Sequence, residues 1–404
     1  VYESSSKYDV LEIAVGGITA TTLTFTNGLQ NAYTTKALVM PLRVGVAEPS
    51  VSGSRLITDA GRLAVRFRVT DNDNQLAATI GWTAYNSKVV VDDCNSTGGD
   101  GTSVSEPLIR DLIVIDGDVA NSTRTEYFGK EFPDRFFNVG IAESNMVSVA
   151  SGLAAAGKAA LASSFACFLL CNAYDQIRMG VAFPQLNVKL VGSHSGISIG
   201  EDGPSQMGIE DIALAASFPN MTVLVPADGP ATQAATRAMF DHHGPVYLRT
   251  GRPDAPLVYP DGCDFQIGKA NQLRAGDAVT LIACGLMTAA ALEAAHLLSQ
   301  QGIEARVLDM HTIKPLDEEA VVRAARETGA IVTAEEHLLA GGLGAAVAHV
   351  VAEHYPVPMR FVGVRDRYAQ SGTGDELLVK YGLTATDIVR AVEAVLAHKA
   401  DLAN

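Results

Sequence analysis

Glu143 stands where the run Phe136-Phe137-Asn138-Val139-Gly140-Ile141-Ala142 gives way to Ser144-Asn145-Met146, an extended segment turning into a helix of small residues. A glutamate opening a helix favours the positive end of the helix dipole, and that structural role is one reading. Its apolar, small-residue surroundings give the other: a buried carboxylate needs a partner, and one placed there can steer a cofactor's protonation. Phe165 and Phe168, three apart in Ser164-Phe165-Ala166-Cys167-Phe168, read by spacing alone as core residues on one helical face. The segment Gly192 to Gly203 follows a buried strand and is rich in glycine, as a loop approaching a ligand needs to be. His194, Asp202 and Gln206 add polar groups to it. Arg249 and Arg252, in Tyr247-Leu248-Arg249-Thr250-Gly251-Arg252-Pro253, either form surface ion pairs or offer planar guanidinium groups to a phosphate.

These residues need a frame. From Leu112 onward, short apolar runs alternate with helical patterns, which predicts parallel sheets covered by helices. Expected strands are 112–115, 188–192 and 222–225, with helices over 144–156, 172–182 and 231–241 between them. The passage Gly251 to Gly262, rich in Pro, Gly and Asp, marks a boundary. Beyond it the spacing predicts strands at 279–283, 304–308, 330–333 and 359–364, and helices at 288–301, 318–328, 342–353 and 384–398. Before residue 97 the chain has a different character. Alternating segments such as Leu63 to Val69 and Lys88 to Val91 are separated by the turn-formers Asn27-Gly28 and Asp71-Asn72-Asp73-Asn74. The expected division is a β-rich segment over 1–96, an α/β domain over 97–258 and a second α/β domain over 259–404, with Asn95 to Thr102 composed like a linker.

The totals narrow the function. A chain of 404 residues suggests two or three domains, and 48% hydrophobic with 19% charged residues describes a globular protein. A formal charge of -15 argues against a nucleic-acid partner. Cys94, Cys167, Cys171, Cys263 and Cys284 show neither disulfide nor metal-ligand spacing and read as thiols in a reducing cytoplasm. Lys158 interrupts the longest apolar candidate, Val147 to Cys171, so no membrane span is expected. Val1 to Ser6 lack the features of a signal peptide, and the expected location is cytoplasmic.

The three stretches around Glu143, Phe165 and His194, in this order, resemble the pyrimidine-binding half of transketolase, a thiamine-diphosphate enzyme that moves two-carbon ketol units between sugar phosphates. Gly200-Glu201-Asp202-Gly203-Pro204-Ser205-Gln206-Met207 is the most specific match. Asp309 to Asp317 and Ser371 to Leu378 resemble segments of the transketolase C-terminal domain. The resemblance implies that Glu143 pairs with a ring nitrogen of the aminopyrimidine and favours its imino tautomer, whose exocyclic nitrogen takes the proton from thiazolium C2. It makes Phe165 and Phe168 walls of the pyrimidine pocket. Cys171 stands where the family often has a further aromatic residue. His194 and Arg252 would contact the substrate phosphate, and Asp202 and Gln206 the sugar hydroxyls. Asp118 would lie near the thiazolium ring and Ser122 near the phosphate. Glu143, His194 and Gln206 form the implied catalytic set, although a glutamine, unlike the histidine many relatives carry there, cannot shuttle a proton.

Two departures shape the reading. Nothing here resembles the domain that binds the diphosphate and its magnesium, and Gly99-Asp100-Gly101 lacks the preceding strand and following helix of such a site. The chain therefore resembles the C-terminal subunit of a split transketolase, a heteromer or dimer of pentose phosphate metabolism whose partner is an N-terminal subunit carrying the diphosphate and metal site. No metal ligands are expected on this chain. Upstream of Leu112, the segment Ser103 to Asp111, broken by Pro107, is shorter than the family's helix. The alternatives are a deoxyxylulose-phosphate-synthase-like subunit, or a non-catalytic assembly protein that keeps the fold.

Overall fold

The computed structural model describes residues 112–403 and, before them, the backbone of short strands between Tyr2 and Thr83. The expected strand at Lys88 to Val91, the linker-like stretch, Gly99-Asp100-Gly101 and the segment Ser103 to Asp111 lie outside the described residues. The chain divides into two compact units, residues 1–112 with 152–159, and residues 113–151 with 160–404. In the first unit, Leu63–Thr70 pairs antiparallel with Lys36–Leu42 on one side and Ala77–Thr83 on the other.

The second unit contains two sheets, apart from Leu112 and Ala159, which open two of their strands. The first is built from β1 (Leu112–Asp116), β2 (Phe136–Asn138), β3 (Ala159–Phe165), β4 (Val188–Ser193), β5 (Thr222–Leu224) and β6 (Val246–Arg249). The second comprises β7 (Asn271–Arg274), β8 (Val279–Ala283), β9 (Ala305–Asp309), β11 (Ile331–Leu338) and β12 (Met359–Val364), and β10 (Thr312–Lys314) lies between β9 and β11 in the chain. The strand orders are β2-β1-β3-β4-β6-β5-β10 and β7-β9-β8-β11-β12. Pairing is parallel within β1–β2, β3–β4, β4–β6 and β5–β6. In the second sheet it is parallel across β9, β8, β11 and β12, with β7 antiparallel at the edge. These are the two α/β domains the sequence implies. β10 leaves the second sheet's chain to pair antiparallel with β5, and Lys314 Nζ donates to the carbonyls of Ala216 and Phe218 at 2.8 and 2.5 Å.

The helices are α1 (Glu143–Ala155), α2 (Asp211–Ser217), α3 (Gly229–Asp241), α4 (Met287–Ser299), α5 (Glu318–Thr328), α6 (Leu343–His354), α7 (Gly374–Tyr381) and α8 (Ala385–Ala403). Where local chemistry marks both ends, the expected range is met. For α5, the Asp317 side chain accepts from Ala320 N at 3.0 Å, and Gly329 closes the helix with φ +64. Val279, Leu281 and Ala283 of β8 share a buried core with Met287, Ala291 and Leu298 of α4, and α8 packs against both α4 and strands β11 and β12. Each such branched side chain contributes about 1.5–3 kcal/mol by leaving water.

Two expected elements need correction. The helix expected over 172–182 begins earlier and is not regular: a π turn over Phe168–Asn172 and another over Ile177–Ala182 flank a short α turn, with Ala173 off helical geometry at φ -111. The strand expected over 330–333 runs on to Leu338. Its extension carries Glu335, Glu336 and His337, all buried, whose polar groups find partners inside the protein.

Candidate active site

Glu143 is the first residue of α1 and only 5% exposed. Its Oε1 accepts from Ser164 Oγ at 3.1 Å and its Oε2 from Asn172 Nδ2 at 3.4 Å. No basic side chain pairs with it among the described residues, so the carboxylate is dry, weakly bonded and left with acceptor capacity. Gly117, just beyond β1, comes close to it: a Cβ there would meet Ser164 Oγ at 3.5 Å and Glu143 Oε1 at 3.6 Å. The turn after β1 is organised by buried Asp116, which accepts from Val119 N at 2.7 Å and from the hydroxyls of Thr123 and Thr125 at 2.8 Å each.

Next to Ser164, the Phe165 ring stacks on Phe168 at 5.5 Å and on His194 at 3.8 Å. Phe165 is buried while Phe168 keeps partial exposure. The two phenylalanines do not share a helix face. Phe165 ends β3 and Phe168 opens the π turn that follows. Cys167 between them is inert: burial pushes its thiol up to about 12, and its Sγ donates to Gln206 O at 3.1 Å. Cys171 is exposed.

His194 adopts φ +56, a left-handed conformation uncommon outside glycine. Its Nδ1 lies 3.0 Å from Ser193 Oγ. Burial, and then the Arg252 charge, lower its pKa below the usual histidine value, so the ring is neutral at pH 7. Arg252 is 43% exposed in its side chain and donates to Ile199 O at 2.8 Å, with Glu201 at 3.3 Å and Asp202 at 3.6 Å. Thus Glu143 bonds to Ser164, the neighbour of Phe165, Phe165 stacks with Phe168 and His194, Arg252 lies beside Asp202, and the Gln206 backbone meets Cys167. Asp118, exposed at φ +70 and accepting from Asn138 Nδ2 at 2.8 Å, lies one residue beyond Gly117. No contact among the described residues ties Ser122 to these residues; its hydroxyl reaches Asn121 Oδ1 at 3.4 Å.

Arg249 behaves differently from Arg252. It is buried, its Nε pairs with Asp211 Oδ2 at 2.8 Å, and its Nη2 donates to Gly208 O and Glu336 O at 3.1 and 2.9 Å. Asp211 also accepts from Tyr247 Oη at 2.6 Å. Ser164, Asn172, Asp211 and Glu336 were not singled out by sequence reasoning. Only Ser164 had a signal, as the residue preceding Phe165; the others come together through tertiary packing. Among the described residues, no three His, Cys, Asp or Glu side chains converge as a metal site, and no helix is long and apolar enough to cross a membrane.

The fold pairs a mainly parallel sheet, with a dry glutamate opening α1, with a second mainly parallel sheet. Residues 107–257 match the family model of the transketolase pyrimidine binding domain and residues 268–388 that of the transketolase C-terminal domain, and the chain belongs to the transketolase family. It is 44% identical over 288 residues to the 6-deoxy-6-sulfo-D-fructose transketolase subunit of Clostridium sp. (strain MSTE9), covering 71% of this chain and 89% of that protein. With an apulose-4-phosphate transketolase subunit of Phocaeicola vulgatus it shares 38% over 282 residues, 70% of this chain and 90% of the relative. Human transketolase is 43% identical over 289 residues, 70% of this chain but 46% of the human protein. A solved structure described as a split gene transketolase, inactive beta4 tetramer, superposes with a TM-score of 0.68 at 48% identity, covering 72% of this chain and 93% of that one. The family's cofactor is thiamine diphosphate.

Proposed function

We propose that this chain is the C-terminal subunit of a thiamine-diphosphate-dependent transketolase, transferring a two-carbon ketol unit between sugar phosphates together with an N-terminal subunit. The observation that carries this reading is Glu143: a buried carboxylate with no cation among the described residues, held by one hydroxyl and one amide. Unlike Glu335, which takes two backbone N–H donors, Glu143 has neither a backbone donor nor a cation among the described residues. It keeps room for a protonated ring nitrogen, so the residues present fit the pyrimidine half of the cofactor.

When bound, the cofactor supplies the carbon acid that accepts and releases the ketol unit. Glu143 would hold a proton at a ring nitrogen of the bound cofactor, and burial would strengthen that bond. Phe168, backed by Phe165, offers an aromatic wall. Neutral His194 has an uncharged ring for substrate oxygens, and Arg252 supplies the positive charge for the substrate phosphate. Asp202 and Gln206 take the sugar hydroxyls, with Asp118 toward the thiazolium side and Ser122 toward the phosphate. The diphosphate and its magnesium belong to the partner subunit. Phe137, Ile141, Met179 and Phe183, from 46% to 84% exposed, are apolar side chains available for partner contact and self-association. The functional division is an unassigned segment over 1–96, the pyrimidine-binding domain over 97–258 and the C-terminal domain over 259–404, working in the cytoplasm.

The test is a ketol-transfer assay with thiamine diphosphate and magnesium, on this chain alone and mixed with an N-terminal transketolase subunit. Turnover is expected only in the mixture. Absence of turnover from a mixture that assembles would contradict the reading.

A further inference from the structure

The loop that carries His194 and Asp202 is held from two sides, and one of them is the C-terminal domain. On the pyrimidine-domain side, Ser195 N donates to Thr250 O at 3.2 Å and Gly196 N to Gly208 O at 2.7 Å. Across the junction, Ser198 N donates to Glu336 Oε1 at 2.6 Å, with both residues buried. Gly196 sits at φ +81, and a Cβ there would overlap the Glu336 carboxyl, so this approach requires a glycine. Glu336 is itself anchored, because its carbonyl accepts from Arg249 Nη2, and Arg249 is fixed by Asp211.

A second segment of the same domain closes on the loop. A Cβ on Gly374, the first residue of α7, would come within 2.7 Å of Ser198 O, and one on Gly200 within 3.1 Å of Gly372 O. Arg252 joins this backbone by donating to Ile199 O. The stretch Ser371-Gly372-Thr373-Gly374 thus has a use that packing alone does not give it: its glycines let the start of α7 lie against residues 198–200.

We infer that Glu336 is a positioning residue for the His194–Asp202 loop, so that the C-terminal domain sets the geometry of the substrate groups without touching substrate. The inference rests on the transketolase reading of that loop. A carboxylate held only for packing would tolerate a freer loop; this one fixes a backbone N–H four residues from His194 and four from Asp202. Misplacement of a reacting group by about 1 Å costs on the order of a hundredfold in rate.

The test compares Glu336→Ala and Glu336→Gln in the full chain by amide hydrogen exchange, and by turnover after mixing with the N-terminal subunit. Glu336→Ala is expected to speed exchange of the amides over 196–200 about tenfold, with little change in β8 and α5. It is also expected to lower kcat by roughly ten- to a hundredfold, with a smaller change in KM. Glu336→Gln keeps a carbonyl oxygen for Ser198 N–H and should recover most of both. Unchanged exchange over 196–200 in Glu336→Ala, loosening spread evenly through the C-terminal sheet, or a Gln variant as impaired as the Ala variant would each overturn the inference. Should Glu336→Ala fail to fold, Gly374→Ala presses on the same loop from the other side. Faster exchange over 196–200 and lower kcat are then expected, and wild-type values for both would refute the tether. The exchange readout needs no turnover, so a wild-type mixture without ketol transfer would defeat the functional reading separately.

Discussion

Buried carboxylates occur in both α/β domains, and they are bonded very differently. Glu335 in the C-terminal sheet accepts from Leu343 N at 2.7 Å and Gly344 N at 2.8 Å, two donors at the start of α6. Asp211 takes the Arg249 guanidinium and the Tyr247 hydroxyl. Glu143, equally dry, has only a serine hydroxyl at 3.1 Å and an amide at 3.4 Å. Glu335 takes backbone donors and Asp211 a guanidinium, although Asp211 Oδ1 stays without a hydrogen-bond partner; of these three, Glu143 has neither kind of donor, which leaves it open to an N–H ligand. The arginines repeat the contrast within three residues of chain. Arg249 spends its bonds inside the fold, and Arg252 holds its charge partly in the open.

That contrast breaks most visibly at Arg249. Replacing it by Met leaves Asp211 buried and unpaired, and denaturant unfolding should show a loss of about 3–5 kcal/mol. A loss below about 1 kcal/mol would mean that the network is not structural.

Glu335→Gln sharpens the comparison through pH. Burial outweighs the two helix N–H bonds and raises the Glu335 pKa from 4.5 to about 7. The folded state therefore keeps this proton while the unfolded chain releases it, so the group's contribution to stability falls as pH rises from about 4.5 to about 7. The variant lacks this dependence. It should be less stable by about 2 kcal/mol near pH 5, and its deficit should shrink toward pH 8. A deficit that grows with pH would reverse the assignment.

The smallest effect is expected at exposed Arg252. Arg252→Ala should lower kcat/KM for phosphorylated donors about tenfold more than for unphosphorylated ones, the worth of one charge-assisted contact. Equal losses for both would place Arg252 with Arg249 as a structural residue.

How far the sequence reached follows the same division. Val279–Ala283, Glu318–Thr328 and Met359–Val364 were legible to the residue because branched apolar runs, an Asp cap and a closing Gly signal locally. Strand β11 was read short because Glu335, Glu336 and His337 look like a strand's end until their partners, distant in sequence, are known. The same holds within the site. Glu143, Phe165 and His194 were legible from their surroundings and their resemblance to a known pattern. The Ser164 and Asn172 partners, the Asp211–Arg249 strut and the Glu336 tether depend on contacts 21 to 138 residues apart in the chain. The π turns after Phe168 had no sequence signal that we can identify.

The central claim is that Glu143 is kept dry and underbonded to hold the cofactor's ring. Its most direct test is ketol transfer by Glu143→Gln mixed with the N-terminal subunit, thiamine diphosphate and magnesium, with assembly followed in parallel. The variant should assemble like the wild type and lose turnover by about 10²–10⁴-fold. Turnover near the wild-type rate in the assembled complex would contradict the claim.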